Sequence, residues 1–228
     1  MSSSESFYND LSQSYSSVSK TRTNYLTSVD KIISSKLTHL KNEKLLDLGS
    51  GDGLRIQKII SGFEIEITAV ENSSEMCNQL RTNKAIAHVC ESDIVRFNVE
   101  PSAYNYVTAL WNVFGHVEEI DAAFKKAYES LARGGIFIFD VNNPLNIGEY
   151  GIYSVIKNFF SFVFGVSEKK FKLVKGESET WVYFRPYWYY RKILKNAGFN
   201  DLSFLYLNYE TGKMTTSING QILITCVK

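Results

Sequence analysis

Leu45-Leu46-Asp47-Leu48-Gly49-Ser50-Gly51-Asp52-Gly53 decides the fold. Lys44 to Leu48 is a short apolar run of strand length, ended by Gly49. From Gly53 to Ser61, Ile56, Ile59 and Ile60 recur at helical spacing. A strand that turns through glycines into a helix is the start of a β-α unit. Working downstream, Ile65, Ile67 and Ala69-Val70 predict a second strand, and Ser73 to Arg81 a helix capped by Ser73 or Ser74. Strands follow at Ala87–Cys90, Tyr104–Leu110 and Ile136–Phe139. The helix predicted over Glu118–Leu131 is closed by Gly134. Upstream, residues 24–37 carry an apolar helical stripe, with Thr23 or Asn24 as N-cap. Short strands alternating with helices imply a parallel sheet covered on both faces, and right-handed crossovers make it doubly wound.

After Asp140 the alternation breaks. Tyr150 to Phe164 is apolar and aromatic, and Lys169 to Lys175 reads as a basic, solvated loop, so an inserted lid is expected. Helix 188–197, strand 202–209 and strand 221–227 then resume the pattern, with the last two strands antiparallel. The expected organisation is an N-terminal cap segment and helix (1–43), a ligand-binding core (44–144), a lid (145–185) and the C-terminal part of the core sheet (186–228). The serine-rich start is expected to become ordered near Phe7.

Composition narrows the function. Of 228 residues, 44% are hydrophobic, enough for a sizeable core. Lys+Arg 25 against Asp+Glu 24 lacks the basic excess of a nucleic-acid binder, so no nucleic-acid partner is expected. The odd, widely spaced Cys77, Cys90 and Cys226 favour neither a disulfide framework nor a zinc site, so no metal is expected. There is no secretory apolar segment and no run long enough to span a bilayer. A cytoplasmic protein, monomer or homodimer, with a small-molecule substrate and no membrane partner is the expectation.

The glycines follow G-x-G-x-G. The dinucleotide fingerprint would place its third glycine at position 54, which is Leu54. Glu71 ends the second predicted strand, where a carboxylate can take both ribose hydroxyls of a nucleoside, and Asp93 follows the third. The run 45–53 resembles the first motif of class I S-adenosylmethionine-dependent methyltransferases. Ala69-Val70-Glu71-Asn72-Ser73-Ser74-Glu75-Met76 resembles their second. Ser92-Asp93-Ile94, Tyr104 to His116 and Ser130-Leu131-Ala132-Arg133-Gly134-Gly135 resemble later ones, with Arg133 where proline is common. The resemblance implies an α/β fold with a seven-stranded, mostly parallel sheet, an antiparallel last strand and S-adenosylmethionine as cofactor (S-adenosylhomocysteine as product). It also implies roles. The loop at Gly49, Ser50 and Gly51 would pack on the methionine part, and Asp47 would hold the loop and the cofactor's amino group. Glu71 would bind the ribose, Asn72 and Met76 would flank the adenine, and Asp93 and Ile94 would meet its amino group and ring. The backbone around Leu110 and Trp111 would pass the methionine moiety.

Methyl transfer mainly requires alignment, and an amine acceptor must attack as the neutral base. Of His39, His88 and His116, only His116 follows the fourth strand at the ligand edge. It is the candidate base; the plain alternative is a histidine making a local hydrogen bond. Phe114-Gly115-His116 and Phe139-Asp140-Val141-Asn142-Asn143-Pro144 resemble small-molecule methyltransferases, including amino-sugar N-methyltransferases. Those begin with a segment that Tyr8-Asn9-Asp10-Leu11-Ser12-Gln13-Ser14-Tyr15 fits. By that resemblance Tyr8 faces the substrate and Tyr15 the cofactor carboxylate. Arg22 is a further candidate for that carboxylate, because arginine pairs with carboxylates bidentately. The lid aromatics Phe159, Phe160, Phe162 and Phe164 and the run 183–190 line a pocket, pack the lid or form a dimer face. Transfer to an amine nitrogen is the first reading. Transfer to a carboxylate or hydroxyl oxygen, and a regulatory protein that binds the cofactor without turnover, are the alternatives.

Overall fold

The computed structural model describes residues 3–11, 22–38, 41–98, 100–175 and 178–228. Strands β1 (Glu43–Leu48), β2 (Ile65–Glu71), β3 (His88–Glu91), β4 (Tyr104–Ala109), β5 (Leu131–Val141), β8 (Asn200–Leu207) and β9 (Gln221–Val227) form one sheet in the order β3-β2-β1-β4-β5-β9-β8. The first five pair in parallel, and β9 runs antiparallel to both its neighbours. The predicted sheet and its reversed last strand are therefore present. The order reverses between β1 and β4, so the carboxyl ends of these strands diverge and leave a crevice.

Alternation along each strand sends side chains to two cores. On one face Leu46, Leu48, Phe137 and Phe139 pack against helices α5 (Ile120–Ser130) and α8 (Tyr187–Ala197) through Phe124 and Tyr190. On the other, Leu45, Ile67 and Ile138 pack against α2 (Thr23–Ser34) and α3 (Leu54–Ile59) through Tyr25, Val29, Ile33 and Ile56. Helix α4 (Ser74–Thr82) lies over β2 and β3, capped as expected by Ser73, whose Oγ accepts from the Met76 amide at 3.2 Å.

Several boundaries differ from expectation. Helix α2 has Arg22, not Thr23 or Asn24, at its N-cap and no side-chain cap. Helix α5 starts at Ile120 rather than Glu118 and stops at Ser130, one residue short of Leu131, because buried Leu131 turns extended to pair with Tyr104; Gly134, expected to close the helix, lies inside β5 instead. Strand β8 ends at Leu207, two residues short of the predicted limit. The N-terminal segment is ordered before Phe7: Ser3–Leu11 is a helix, α1, that buries Phe7.

The lid segment consists of α6 (Ile147–Tyr150), α7 (Ile152–Val163) and a hairpin of β6 (Lys169–Lys175) with β7 (Ser178–Phe184). Lys169–Lys175 is thus a strand rather than the expected loop. Its register sets Lys170 opposite Tyr183 and Lys172 opposite Trp181, and the ammonium groups lie over those rings at 5.5 and 5.4 Å. Among the described residues no helix is long and apolar enough to cross a membrane, and no group of three or more His, Cys, Asp or Glu could hold a metal.

Candidate active site

The turn after β1 depends on its glycines. Gly49, Gly51 and Gly53 have φ of 68°, 58° and 73°, in the left-handed region that L side chains rarely adopt. A Cβ on Gly49 would stand 2.7 Å from Val113 Cγ1, so the loop after β4 closes directly on it. The loop is tied to β2 as well. The Gly49 amide donates to the Val70 carbonyl at 2.8 Å. Glu71 Oε2 accepts from the Gly51 amide at 3.0 Å, and Oε1 accepts from Asn72 at 3.0 Å and Ser73 at 2.9 Å. Burial pushes the Glu71 carboxyl up, while the three amides favour its ionised form.

A cavity of about 330 Å³ opens above this loop. Gly49, Gly51 and Trp111 line it at the ends of β1 and β4. Glu71, Asn72, Met76, Asp93 and Ile94 line it beyond β2 and β3. Asp93 Oδ1 accepts from the Val95 amide at 2.8 Å, which fixes the turn after β3. Opposite stand Tyr8, His116, Trp181 and Tyr183, with Glu118 and Glu119 also in the wall. A second cavity, about 280 Å³, contains Asp47, Ser50 and Leu110 in its wall and shares Gly49 and Trp111 with the first. Buried Asp47 accepts from Thr108 Oγ1 at 2.6 Å, and burial pushes its carboxyl up to about 6. The structure therefore gathers all but two of the sequence-predicted residues around two adjoining spaces. Arg22 lines neither: it pairs with Glu149 at 3.0 Å and lies 4.3 Å over the Tyr209 ring. Tyr15 lies outside the described residues.

The loop after β4 is strained. Trp111 (φ 69°) and Asn112 (φ 57°) are successive non-glycine residues in the left-handed region. Their surroundings hold them there: the Trp111 amide donates to Asp140 Oδ1 at 2.6 Å, and Asn112 Oδ1 accepts from the Asn142 amide at 2.9 Å. A Cβ on Gly115 would collide with the Asn112 side chain. His116 follows, carried into the cavity wall. Tyr8 meets it edge-on from α1, with ring centroids 5.6 Å apart. Asn9 anchors α1 by accepting from Ser73 Oγ at 2.6 Å. Burial lowers the His116 imidazole to about 4, only partly offset by a hydrogen bond to the Trp181 backbone, and its Nδ1 is buried without a partner.

That shift has a measurable sign. Unfolded, the imidazole takes up a proton near 6.5; folded, near about 4. The stability it contributes is complete above pH 6.5 and is lost as pH falls through the folded value. Asp47 acts in the opposite direction: with its carboxyl raised from 3.8 to about 6, its contribution is present below 3.8 and is lost as pH rises through 6. The two oppose each other in one window, so the wild-type curve is flattened. Urea midpoints of the wild type and His116→Asn should differ by a constant above pH 6.5, and the variant should gain relative to wild type on acidification towards pH 4. A difference that is constant throughout would sink this reading of His116.

Sequence reasoning missed Arg185 and Trp181. Arg185 is fully buried. Nη1 donates to the Phe114 carbonyl at 2.9 Å, Nη2 to the Val117 carbonyl at 2.9 Å and Nε to Glu168 Oε2 at 2.6 Å. It thereby ties the end of β7 to the two carbonyls that flank His116. The one available signal was an arginine embedded in the aromatic run 183–190, just before Pro186.

A family model described as a methyltransferase domain matches residues 45–135. Residues 45–135 are a methyltransferase domain. The match takes in the glycine loop, Glu71, Asp93 and His116, and the sheet around it has the class I order and reversal. The chain thus carries a methyltransferase domain set in a sheet of the class I order. No curated protein matches the sequence. Among solved structures, an S-adenosylmethionine-dependent methyltransferase assignment from Listeria monocytogenes is similar at 18% identity and TM-score 0.68, over 89% of this chain and 98% of that one. A methyltransferase from Thermotoga maritima, named as a possible histamine N-methyltransferase, aligns at 14% identity and TM-score 0.70, over 98% and 99%. Phosphoethanolamine N-methyltransferase 2 from Haemonchus contortus, solved with S-adenosyl-L-methionine, aligns at 16% and 0.59, over 87% of this chain and 52% of its own. At these identities the likeness is one of fold.

Proposed function

We propose that this methyltransferase moves the methyl group of S-adenosylmethionine to an amine nitrogen of a small molecule. The observation that carries the reading is the neutral imidazole of His116 in the cavity wall, its buried Nδ1 without a partner. An amine reacts through its lone pair. A neutral imidazole accepts a hydrogen bond from the amine N–H and so turns that lone pair towards the methyl group. The low basicity of His116 makes it an orienting acceptor rather than a lasting store for the proton. Glu118 and Glu119, exposed residues of the same wall, suit the approach of a cationic amine and the departure of its proton to water. One fold neighbour named as a phosphoethanolamine N-methyltransferase, and another named as a possible histamine N-methyltransferase, support the same acceptor class.

The residues present fit the cofactor. Glu71 offers carboxylate acceptors to the ribose hydroxyls, Asp93 an acceptor to the adenine amino group, and Asn72, Met76 and Ile94 flanking contacts. Gly49 and Gly51 admit the methionine part beside Trp111, and Asp47, Ser50 and Leu110 border the adjoining space. When bound, S-adenosylmethionine supplies a methyl group already activated on a sulfonium, so alignment and exclusion of water are what remain for the protein. Tyr8 would close on the acceptor from α1. Tyr15 is assigned to the cofactor carboxylate by its motif, and Arg22 could serve that group only by leaving Glu149.

Transfer assays against matched amines, carboxylates and alcohols test the reading. Amines should be methylated, and His116→Asn should lose about tenfold in kcat, one hydrogen bond's worth, with S-adenosylhomocysteine affinity kept within about twofold. Methylation confined to carboxylates or alcohols would overturn the acceptor, and unchanged kcat would overturn His116.

A further inference from the structure

Arg55, in the first turn of α3, lines the second cavity, and its guanidinium is only partly engaged. Nε donates to Asp30 Oδ1 at 2.9 Å. Nη1 and Nη2 are buried and have no hydrogen-bond partner among the described residues. Each Nη carries two N–H donors, so the outer fork of a permanent cation is out of water and unfilled. Burial opposes the charge, but Asp140 and Asp30 outweigh it and hold the guanidinium above its usual range. A buried charged donor left unmatched is costly, which makes the fork a place for a ligand acceptor.

The acids nearby do not fill the fork. Asp30 Oδ2 faces Lys58 Nζ at 3.5 Å. Asp140 Oδ1 lies 4.0 Å from Nη1 and is taken by the Trp111 amide at 2.6 Å, while Oδ2 accepts from the Tyr25 hydroxyl at 3.0 Å. A planar carboxylate matches the fork, because guanidinium and carboxylate pair through two parallel hydrogen bonds. A simple anion would add negative charge to a space already walled by Asp30, Asp47 and Asp52. An α-amino-acid group avoids that cost. It is a zwitterion, so its carboxylate can meet Arg55 while its ammonium meets an acid of the same wall. The cavity joins the first through Gly49 and Trp111, so a ligand lying over the glycine loop reaches both spaces.

The geometry points to Arg55 as the residue that receives the carboxylate of the cofactor's amino-acid end, the task that Arg22, paired with Glu149, does not perform. Arg55 thereby separates the intact cofactor from nucleosides that lack that end. This assignment rests on the proposed placement of S-adenosylmethionine over the glycine loop.

Calorimetric titration of the full chain with S-adenosylhomocysteine and with 5′-methylthioadenosine tests it. The second ligand keeps the nucleoside and sulfur but has no amino-acid group. Arg55→Lys keeps a charge for Asp30 without the planar fork. The variant should bind S-adenosylhomocysteine about tenfold more weakly, and 5′-methylthioadenosine within about twofold of wild type, since a hydrogen bond to a charged group is lost for the first ligand alone. A change on the ligand side needs no altered fold: S-adenosylhomocysteine with its carboxyl group amidated should lose about tenfold on the wild type and little on Arg55→Lys. Equal loss of both ligands in Arg55→Lys, or loss of neither, would overturn the assignment and leave the cofactor placement standing. So would a loss confined to S-adenosylhomocysteine in Arg22→Ala and absent in Arg55→Lys. Failure of the wild type to bind either nucleoside would instead overturn the cofactor placement, and the assignment with it.

Discussion

Replacing Glu71 with alanine is expected to weaken binding of S-adenosylhomocysteine by at least about a hundredfold. The carboxylate accepts from three backbone amides, those of Gly51, Asn72 and Ser73, and so joins the glycine loop to the start of α4. It also faces the cavity, where its remaining acceptor capacity is the one group at the end of β2 suited to a pair of ribose hydroxyls. Hydrogen bonds to a charged acceptor contribute about 1.5–3 kcal/mol each, so losing two reaches the hundredfold level. The variant should also melt earlier, because three amides lose their acceptor. Glu71→Gln separates the two effects: it keeps the shape, yet its amide NH2 opposes the amides it replaces carboxylate oxygen for. Calorimetric titration of the three proteins checks this. An affinity within about threefold of wild type in Glu71→Ala would remove Glu71 from the cofactor site.

Arg185→Leu should be the most destabilising single change proposed, at about 3–5 kcal/mol, the usual cost of removing one partner from a buried charged network. The guanidinium is wholly buried and satisfies the Phe114 and Val117 carbonyls together with Glu168. Leucine would leave two carbonyls and a half-buried carboxylate unpaired. For a chain of this size a melting temperature about 10 °C lower is expected. Because those carbonyls bracket His116, turnover should fall more than S-adenosylhomocysteine affinity, which we propose rests on Glu71 and the glycine loop. A variant that melts within about 2 °C of wild type would show that the lid and the loop after β4 are held by something else. Arg185→Lys retains charge without the planar fork and should recover only part of the stability.

The core of the fold was legible because its signals are local. Glycines at three alternate positions demand left-handed backbone, a Ser before α4 demands a cap, and apolar tetrads between helical stripes demand a sheet buried on both faces. These follow from steric limits and periodicity within a few residues. Glu71, Asp93 and the glycines were readable for the same reason: each sits at a fixed offset from a strand end. Boundaries that depend on a distant partner were not. Leu131 leaves its helix early because Tyr104, 27 positions earlier, offers a strand edge, and no local pattern around Gly134 reports that. Lys169–Lys175 has the composition of a solvated loop, yet it becomes a strand once Trp181 and Tyr183 lie opposite its lysines.

Sequence by itself determined the layered sheet, the place of the glycine loop and the acids that ring it, since short-range sterics and hydrophobic period fix those. Only the tertiary structure decided that Arg22 turns to Glu149 and Tyr209, that Tyr8 reaches His116 across 108 positions, and that Arg185 holds the loop between them. Pairings of this kind depend on which long-range surfaces meet when the cores close. Desolvation depends on the same event: burial under α1 and the β6–β7 hairpin turns an ordinary histidine into a neutral one, and that environment exists only in the folded chain.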